Sequence, residues 1–382
     1  MRHSAWATAA LAVSATLVIA ACGSSHSSAT SGSTTSSGAT SSATASAAKF
    51  LGCMVTDTGG IDDRSFNESS WNGMQAAAAA DPSIQVKYLQ STTQNDYVPN
   101  IAAFLKLKCG IIVTVGFLMA AATEAAAKAN PTQKFAIVDC SYASGCLTGA
   151  KESNIDQLVF NTVQDGFLGG YLAAGMSPKT GKVGTYGGQE LPTVTIYMDG
   201  FWDGVQYYNQ QHHTSVQVLG WNEQTQKGEF TNSFTDETAG QTITQTFIDE
   251  GADVIFPVAG DVGLGSLKAV QEADQTAGTT KVTMEWVDTD GCFSLPSDCS
   301  YFISSVTKGI VPSVEHDVLA AAKGTFTGGN YIGTLANGGV VLSPFHDFAS
   351  KVPAALQAEL KTVTTEIENG KIKPATKSPV TG

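Results

Sequence analysis

Residues 56–74 read TDTGGIDDRSFNESSWNGM, and the way this stretch joins its neighbours sets the architecture of the chain. The run before it, FLGCMV at 50–55, is apolar and strand-like, while SSWNGMQAAAAA from 69 to 80 has the alanine-rich composition of a helix. Between them lie two glycines, three aspartates and an arginine. A strand delivered through a glycine turn into a helix is the first half of a parallel β-α-β unit. Phe66 is the odd member, a large apolar ring in the polar mouth between strand and helix. Either it staples the helix entry, or it offers a face to something that binds there.

The same alternation continues. Strand patterns at 84–89, 111–115 and 135–138 are separated by helical patterns at 97–106 and 120–129. Helices are expected at 164–176, 198–210, 238–250 and 263–273, and strands at 182–186, 215–219, 254–257 and 281–287. Short connections between such elements specify parallel sheets covered by helices, and the length suits two sheets better than one very wide one. The expected organisation is 49–160 with 289–304 as one lobe, and 161–288 with 305–330 as the other. Residues 331–382 are left unassigned between the two. In doubly wound sheets ligands bind beyond the carboxyl ends of the strands. Those loops here are TDTGGIDDRSFN, GF, DCSY, GGQELP, AGDVG and DTDG, rich in Asp, Gly and aromatic residues.

The amino-terminal stretch reads as a secretory signal over 1–21, with one arginine, an apolar run and then small residues before Cys22. Val18-Ile19-Ala20-Ala21-Cys22 is similar to a bacterial lipobox, in which cleavage precedes a cysteine that carries lipid. Residues 22–48 follow as a Ser/Thr/Ala/Gly tether without the large apolar groups needed to offset ordering entropy. Its 26 residues after Cys22 would span about 25–30 Å end to end as a flexible chain. Without the leader the chain carries 20 basic and 34 acidic side chains, a net of −14. That charge disfavours a nucleic-acid polymer as partner.

Six cysteines remain besides Cys22: Cys53, Cys109, Cys140, Cys146, Cys292 and Cys299. An even number in an exported chain reads as disulfides. Cys140 with Cys146 and Cys292 with Cys299 would each close a short polar loop, and Cys53 and Cys109 precede strand-like runs that could be neighbours. A metal site is the rival reading, but no CxxC or histidine-containing ligand spacing is present.

GIDDRSFNESSWNGM (60–74), NPTQKFAIVD (130–139), KTGKVGTYGG (179–188), GADVIFPVAGDVGLG (251–265), WVDTD (286–290), SSVTKG (304–309) and GGVVLSPFHDF (338–348) occur in that order. Together they closely resemble the basic membrane protein family of purine-nucleoside-binding lipoproteins. The resemblance runs from about residue 50 to the end. It implies a type I periplasmic-binding-protein fold of two lobes, each a parallel sheet flanked by helices, and delivery of a nucleoside to an ABC importer. On the matching positions it implies that Phe66 stacks on one face of the base, with Asn67 and Asp57 beside it, and that Asp139 reads the base edge. It implies Tyr197 on the opposite face, where phenylalanine is usual, and Gly260, Asp288 and Lys308 around the ribose. Trp286 stands where glycine is common.

The chemistry suits that ligand independently. A nucleoside has a flat π-face and a vicinal diol; stacking contributes about 1–3 kcal/mol per base, and a carboxylate such as Asp288 can accept both hydroxyl protons. Asp57 and Asp139 would repel a phosphate, so a nucleoside is expected over a nucleotide. The expected protein is a monomer and not an enzyme, needs no cofactor, and sits lipid-anchored on the outer face of the cell membrane beside an ABC permease. Two other readings stand beside it. One is a lipoprotein that signals to a membrane receptor. The other is an exported nucleoside hydrolase using Asp57, Asp62 and Asp63 around a metal.

The lipid reading rests on one sulfur. Cys22→Ser should move the protein from the membrane to the soluble fraction or the medium, as fractionation and blotting would record. A variant retained in the membrane at normal yield would overturn the lipobox assignment.

Overall fold

The computed structural model describes residues 49–149, 151–177 and 181–378, so the expected leader, Cys22 and the tether lie outside the described residues. The first elements are β1 (Phe50–Val55), α1 (Phe66–Ala80), β2 (Ile84–Leu89), α2 (Tyr97–Lys106), β3 (Ile111–Val115), α3 (Ala120–Ala129), β4 (Phe135–Val138) and β5 (Ile155–Phe160). Next come α4 (Val163–Met176), β6 (Lys182–Gly187), α5 (Pro192–His212), β7 (Gln217–Leu219) and a small hairpin of β8 (Trp221–Asn222) and β9 (Lys227–Gly228). They are followed by α6 (Glu237–Asp249), β10 (Val254–Val258), α7 (Val262–Ala277), β11 (Thr283–Asp288), α8 (Gly291–Ser294) and β12 (Phe302–Lys308). The last are α9 (Ile310–Lys323), β13 (Gly329–Gly333), β14 (Val340–Leu342) and α10 (Ala354–Glu368). Among the described residues no helix is long and apolar enough to cross a membrane.

The strands form two six-stranded sheets of matching order, β2-β1-β3-β4-β5-β13 and β7-β6-β10-β11-β12-β14. All pairings within these sheets are parallel except β12 with β14. Central strands such as β3 and β10 are buried at every position, which is why they read as unbroken apolar runs. The chain crosses between sheets after β5, after β12 and after β13. The lobe boundaries therefore differ from the sequence expectation. Residues 289–301, expected with the first sheet, pack on β11 and β12 of the second through α8, and 302–304 begin β12 itself. Helix α9 and the first two residues of β13, expected with the second lobe, lie on the first sheet instead, and the rest of β13, left unassigned, goes with them. Which sheet received these stretches depended on pairing partners far away in the chain.

Three disulfides are present among the described residues: Cys53–Cys109 joins β1 to the entry of β3, and Cys140–Cys146 and Cys292–Cys299 close short loops. Helices α4 and α5 meet at backbone distance. A Cβ on Gly170 would lie 1.9 Å from the carbonyl oxygen of Phe201, and one on Gly204 2.0 Å from that of Phe167. This approach fixes α5, the carrier of Tyr197, against the second sheet.

One core residue breaks the apolar pattern. Glu285 on β11 is fully buried, faces Gly169 of α4, and neither of its carboxyl oxygens has a hydrogen-bond partner among the described residues. Burial pushes its carboxyl up to about 8. The folded protein holds this proton at pH values where the unfolded chain has released it. The contribution is thus most favourable below the ordinary glutamate value of 4.5 and is lost as pH rises to about 8. Glu285→Gln should consequently leave the melting temperature unchanged near pH 4.5 and raise it by several degrees at pH 8, as scanning calorimetry across pH would show. A pH-independent effect would assign Glu285 another role.

Candidate functional site

The carboxyl ends of the two sheets meet around one cleft of about 560 Å³, its open mouth included. Asp57, Phe66, Asn67, Asp139, Tyr197, Gly260, Asp288 and Lys308 all line it. The sequence reading thus named eight residues from seven loops and elements that the fold brings to one place. It did not name Phe117, Leu118, Leu191, Val194 or Phe234, which supply apolar wall to the same cleft. Phe117 was legible within the GF loop after β3; Phe234 lies in a segment without periodicity and gave no signal.

The opening stretch builds one wall. Asp63 accepts backbone N–H groups from Ser65, Asn67 and Glu68, which are donors at the start of α1 that the helix itself cannot satisfy. Asp63 is therefore a helix cap, and burial raises its carboxyl to about 7. With its end tied down, α1 begins at Phe66 rather than at the expected 69 and places the ring on the cleft. Asn67 donates from Nδ2 to Asp57 at 2.9 Å and to Asp63 at 3.2 Å, while its buried Oδ1 has no partner among the described residues. Asp57 also accepts Gly59 N at 2.9 Å, and burial raises its carboxyl above the usual range. Gly116 must be glycine: its φ is +105°, and a Cβ would sit 2.7 Å from Asp57 Oδ2.

The opposite wall begins earlier in sequence than expected. Helix α5 starts at Pro192, not near 198, with proline at a first-turn position that suits its fixed φ. Tyr197 therefore lies in the second turn, buried, with its hydroxyl donating to Asp288 Oδ1 at 3.0 Å. Burial, then the charge of Asp288, hold the phenol well above the ordinary tyrosine value.

Lys308 joins the walls. Its Nζ lies 2.5 Å from Asp139 Oδ2 and 3.2 Å from Asp288 Oδ1, and it sits over the rings of Phe66 and Tyr197, 4.9 and 5.1 Å from their centroids. All three charged side chains are at least nine-tenths buried. Burial opposes the ammonium, but the two acids beside it keep it charged and raise it above the usual lysine value. Burial likewise lifts Asp139 to about 6 despite Lys308 pulling it down. Asp139 and Asp288 both adopt left-handed backbone, φ +64° and +67°, an uncommon state for a non-glycine residue. Gly260 shares that region at +57°, and a Cβ there would meet no atom beyond its chain neighbours within 4 Å.

Two further bonds cross the cleft. Ser65 Oγ donates to Asp288 Oδ2 at 3.1 Å or to Val287 O at 3.0 Å, and the indole N–H of Trp286 reaches Arg64 O at 2.9 Å. Trp286 is therefore a fully buried clasp between the lobes behind the cleft, and it is not among the cleft-lining residues. Asp62 is exposed and Asp63 is committed to its cap, so the acid trio imagined around a metal is not assembled. Asp290, Cys292 and His346 do converge, but the sulfur of Cys292 is bonded to Cys299.

The arrangement offers aromatic faces, four buried carboxylates on the cleft (Asp57, Asp63, Asp139 and Asp288) and one ammonium. It suits a neutral, flat molecule rich in hydroxyl and amine donors. Comparison with known proteins gives the family. Residues 50–381 match the family model described as ABC transporter substrate-binding protein PnrA-like. The chain is 30% identical over 339 residues to the CD4+ T-cell-stimulating antigen of Listeria monocytogenes, covering 86% of this chain and 88% of that protein. It is 28% identical to a protein of Lactococcus lactis named ABC transporter nucleoside-binding protein BmpA, over 97% of this chain and 99% of that one. A solute-binding protein of an ABC transporter system from Aeropyrum pernix superposes with a TM-score of 0.74 at 24% identity, covering 85% and 92% of the two chains.

Removing the ammonium should expose how much it neutralises. Lys308→Met leaves Asp139 and Asp288 buried and facing one another, and should cost about 3–5 kcal/mol of stability in urea unfolding at pH 7.5. The double variant with Asp139→Asn should recover part of that loss. Equal stability of all three proteins would mean that the trio is solvated in solution.

Proposed function

The chain belongs to the Bmp family of PnrA-like ABC transporter substrate-binding proteins, and from that premise we propose that it captures a purine nucleoside between its lobes. As a substrate-binding protein it works outside the cytoplasm, binds a ligand without transforming it and delivers it to the permease. The observation that carries the ligand assignment is the Asp139–Lys308–Asp288 trio set beneath Phe66 and Tyr197. The base lies against these rings, with Phe117 and Phe234 completing the apolar lining, and Asp139 takes a donor from the base edge. Asn67 Oδ1, buried and unpartnered, accepts a second donor. The ribose diol approaches Asp288, whose carboxylate has four lone-pair sites and keeps room beside Tyr197, Lys308 and Ser65. Asp57, Asp139 and Asp288 outnumber the single ammonium, so a phosphate would meet net repulsion. The relative in Lactococcus lactis named nucleoside-binding supports the same choice.

In this reading Cys22 carries lipid, and the tether over 22–48 lets the lobes leave the bilayer and reach the permease. Exchange between open and closed lobes is set by the inter-lobe contacts of Lys308, Ser65 and Trp286.

Calorimetric titration tests the ligand. Inosine should bind more tightly than 2′-deoxyinosine, and that more tightly than hypoxanthine, because each hydroxyl-to-carboxylate bond contributes about 1.5–3 kcal/mol. Asp288→Ala should remove most of this ranking, and Phe66→Ala should weaken inosine by about 1–3 kcal/mol. Equal affinity for inosine and hypoxanthine in the unaltered protein would overturn the nucleoside assignment.

A further inference from the structure

A second cavity of about 750 Å³, its open mouth included, adjoins the cleft and shares Phe117, Asp139, Thr193 and Lys308 with it. It is not a separate hole, since the Asp139–Lys308 pair and Phe117 form a sill between two compartments of one inter-lobe space. Its floor is largely apolar, with Val159, Phe160 and Ile196 drawn from both lobes. Thr162 also lines it, fully buried, and its Oγ1 has no hydrogen-bond partner among the described residues. Ala143 and Ser144 of the Cys140–Cys146 loop stand on one side. On the other are Lys377 and Ser378, held by Asp199 and Glu223 through Thr376 Oγ1, Lys377 N and Lys377 Nζ.

An apolar chamber with one unmet hydroxyl, opening past the acid that faces a base edge, is shaped for a substituent on that edge. We propose that this compartment receives an apolar chain carried on the 6-amino group of a purine nucleoside, so that the preferred ligands are 6-alkylamino purine nucleosides, those with a terminal hydroxyl above all. The proposal rests on the nucleoside reading of the main cleft. A mono-substituted 6-amino group keeps one N–H for the Asp139 carboxylate while its other substituent points over the sill. A doubly substituted amine keeps none, and should lose the Asp139 bond. The chain lies along Val159, Phe160 and Ile196, and a terminal hydroxyl reaches Thr162.

The test is titration of the full chain with adenosine and with adenosines bearing 6-alkylamino chains of one to six carbons, with and without a terminal hydroxyl. Affinity should rise about fourfold per buried methylene over the first few carbons, and the hydroxyl-ended ligands should exceed their plain counterparts. Ala143→Phe, at an exposed loop position on the mouth, should abolish the rise while leaving adenosine affinity unchanged. Thr162→Val should abolish only the advantage of the terminal hydroxyl. If adenosine binds but every substituted form binds no better, the second compartment is not a ligand site and the nucleoside reading stands. If no nucleoside binds, both fall together. A rise that appears only after deletion of residues 379–382 would assign the cavity to the chain's own end and overturn the proposal.

Discussion

The ammonium of Lys308 stands between two carboxylates that belong to different sheets, Asp139 at the end of β4 and Asp288 at the end of β11. Two such acids cannot both stay ionised in a buried cleft without a counter-charge. One lysine, delivered by the last residue of β12 just before the chain crosses to α9, answers both. The trio ties the two lobes together, and its ammonium lies over the rings of Phe66 and Tyr197. The closed arrangement of the two lobes rests on that compensation.

The trio reflects a repeated plan. The two sheets have the same strand order, so β4 and β11 occupy equivalent places, and each ends in an aspartate with left-handed backbone. After each aspartate comes a loop closed by a disulfide, Cys140–Cys146 in one lobe and Cys292–Cys299 in the other. Holding a non-glycine residue at positive φ costs of order 1–3 kcal/mol, and a cross-linked loop immediately beyond gives the chain few alternatives. The lobes thus meet with matching acids, and the asymmetry that makes a binding site comes from what surrounds them. Phe66, Asn67 and Asp57 come from the opening stretch on one side, and Tyr197 from a proline-started helix on the other.

Most cleft residues were legible because strand ends, glycine turns and isolated aromatic rings are local signals, and the family resemblance named the same positions. The lobe boundaries were not. Residues 289–304 were expected with the first sheet, and the pairing of β12 with β11 places them on the second. Trp286 could be recognised as unusual at its position, yet nothing local said that its indole would bond to Arg64 across the lobes. Phe234 and the chamber beside Thr162 were equally silent, since each is formed by segments with no shared pattern.

The sequence by itself determined the alternation of strands and helices, the exported character with its paired cysteines, and the acids and rings at the strand ends. The first two depend on composition, periodicity and spacing within a few residues, while the individual acids and rings were singled out by the family resemblance. Tertiary structure alone decided that one lysine would contact two distant acids, that Asn67 would bridge Asp57 and Asp63, and that Glu285 would be buried without a hydrogen-bond partner among the described residues. The charge state and reach of each group depend on desolvation and on neighbours up to more than two hundred residues away in the chain, as Ser65 beside Asp288 illustrates. No local pattern encodes those distances; they exist only once the two sheets have closed on one another.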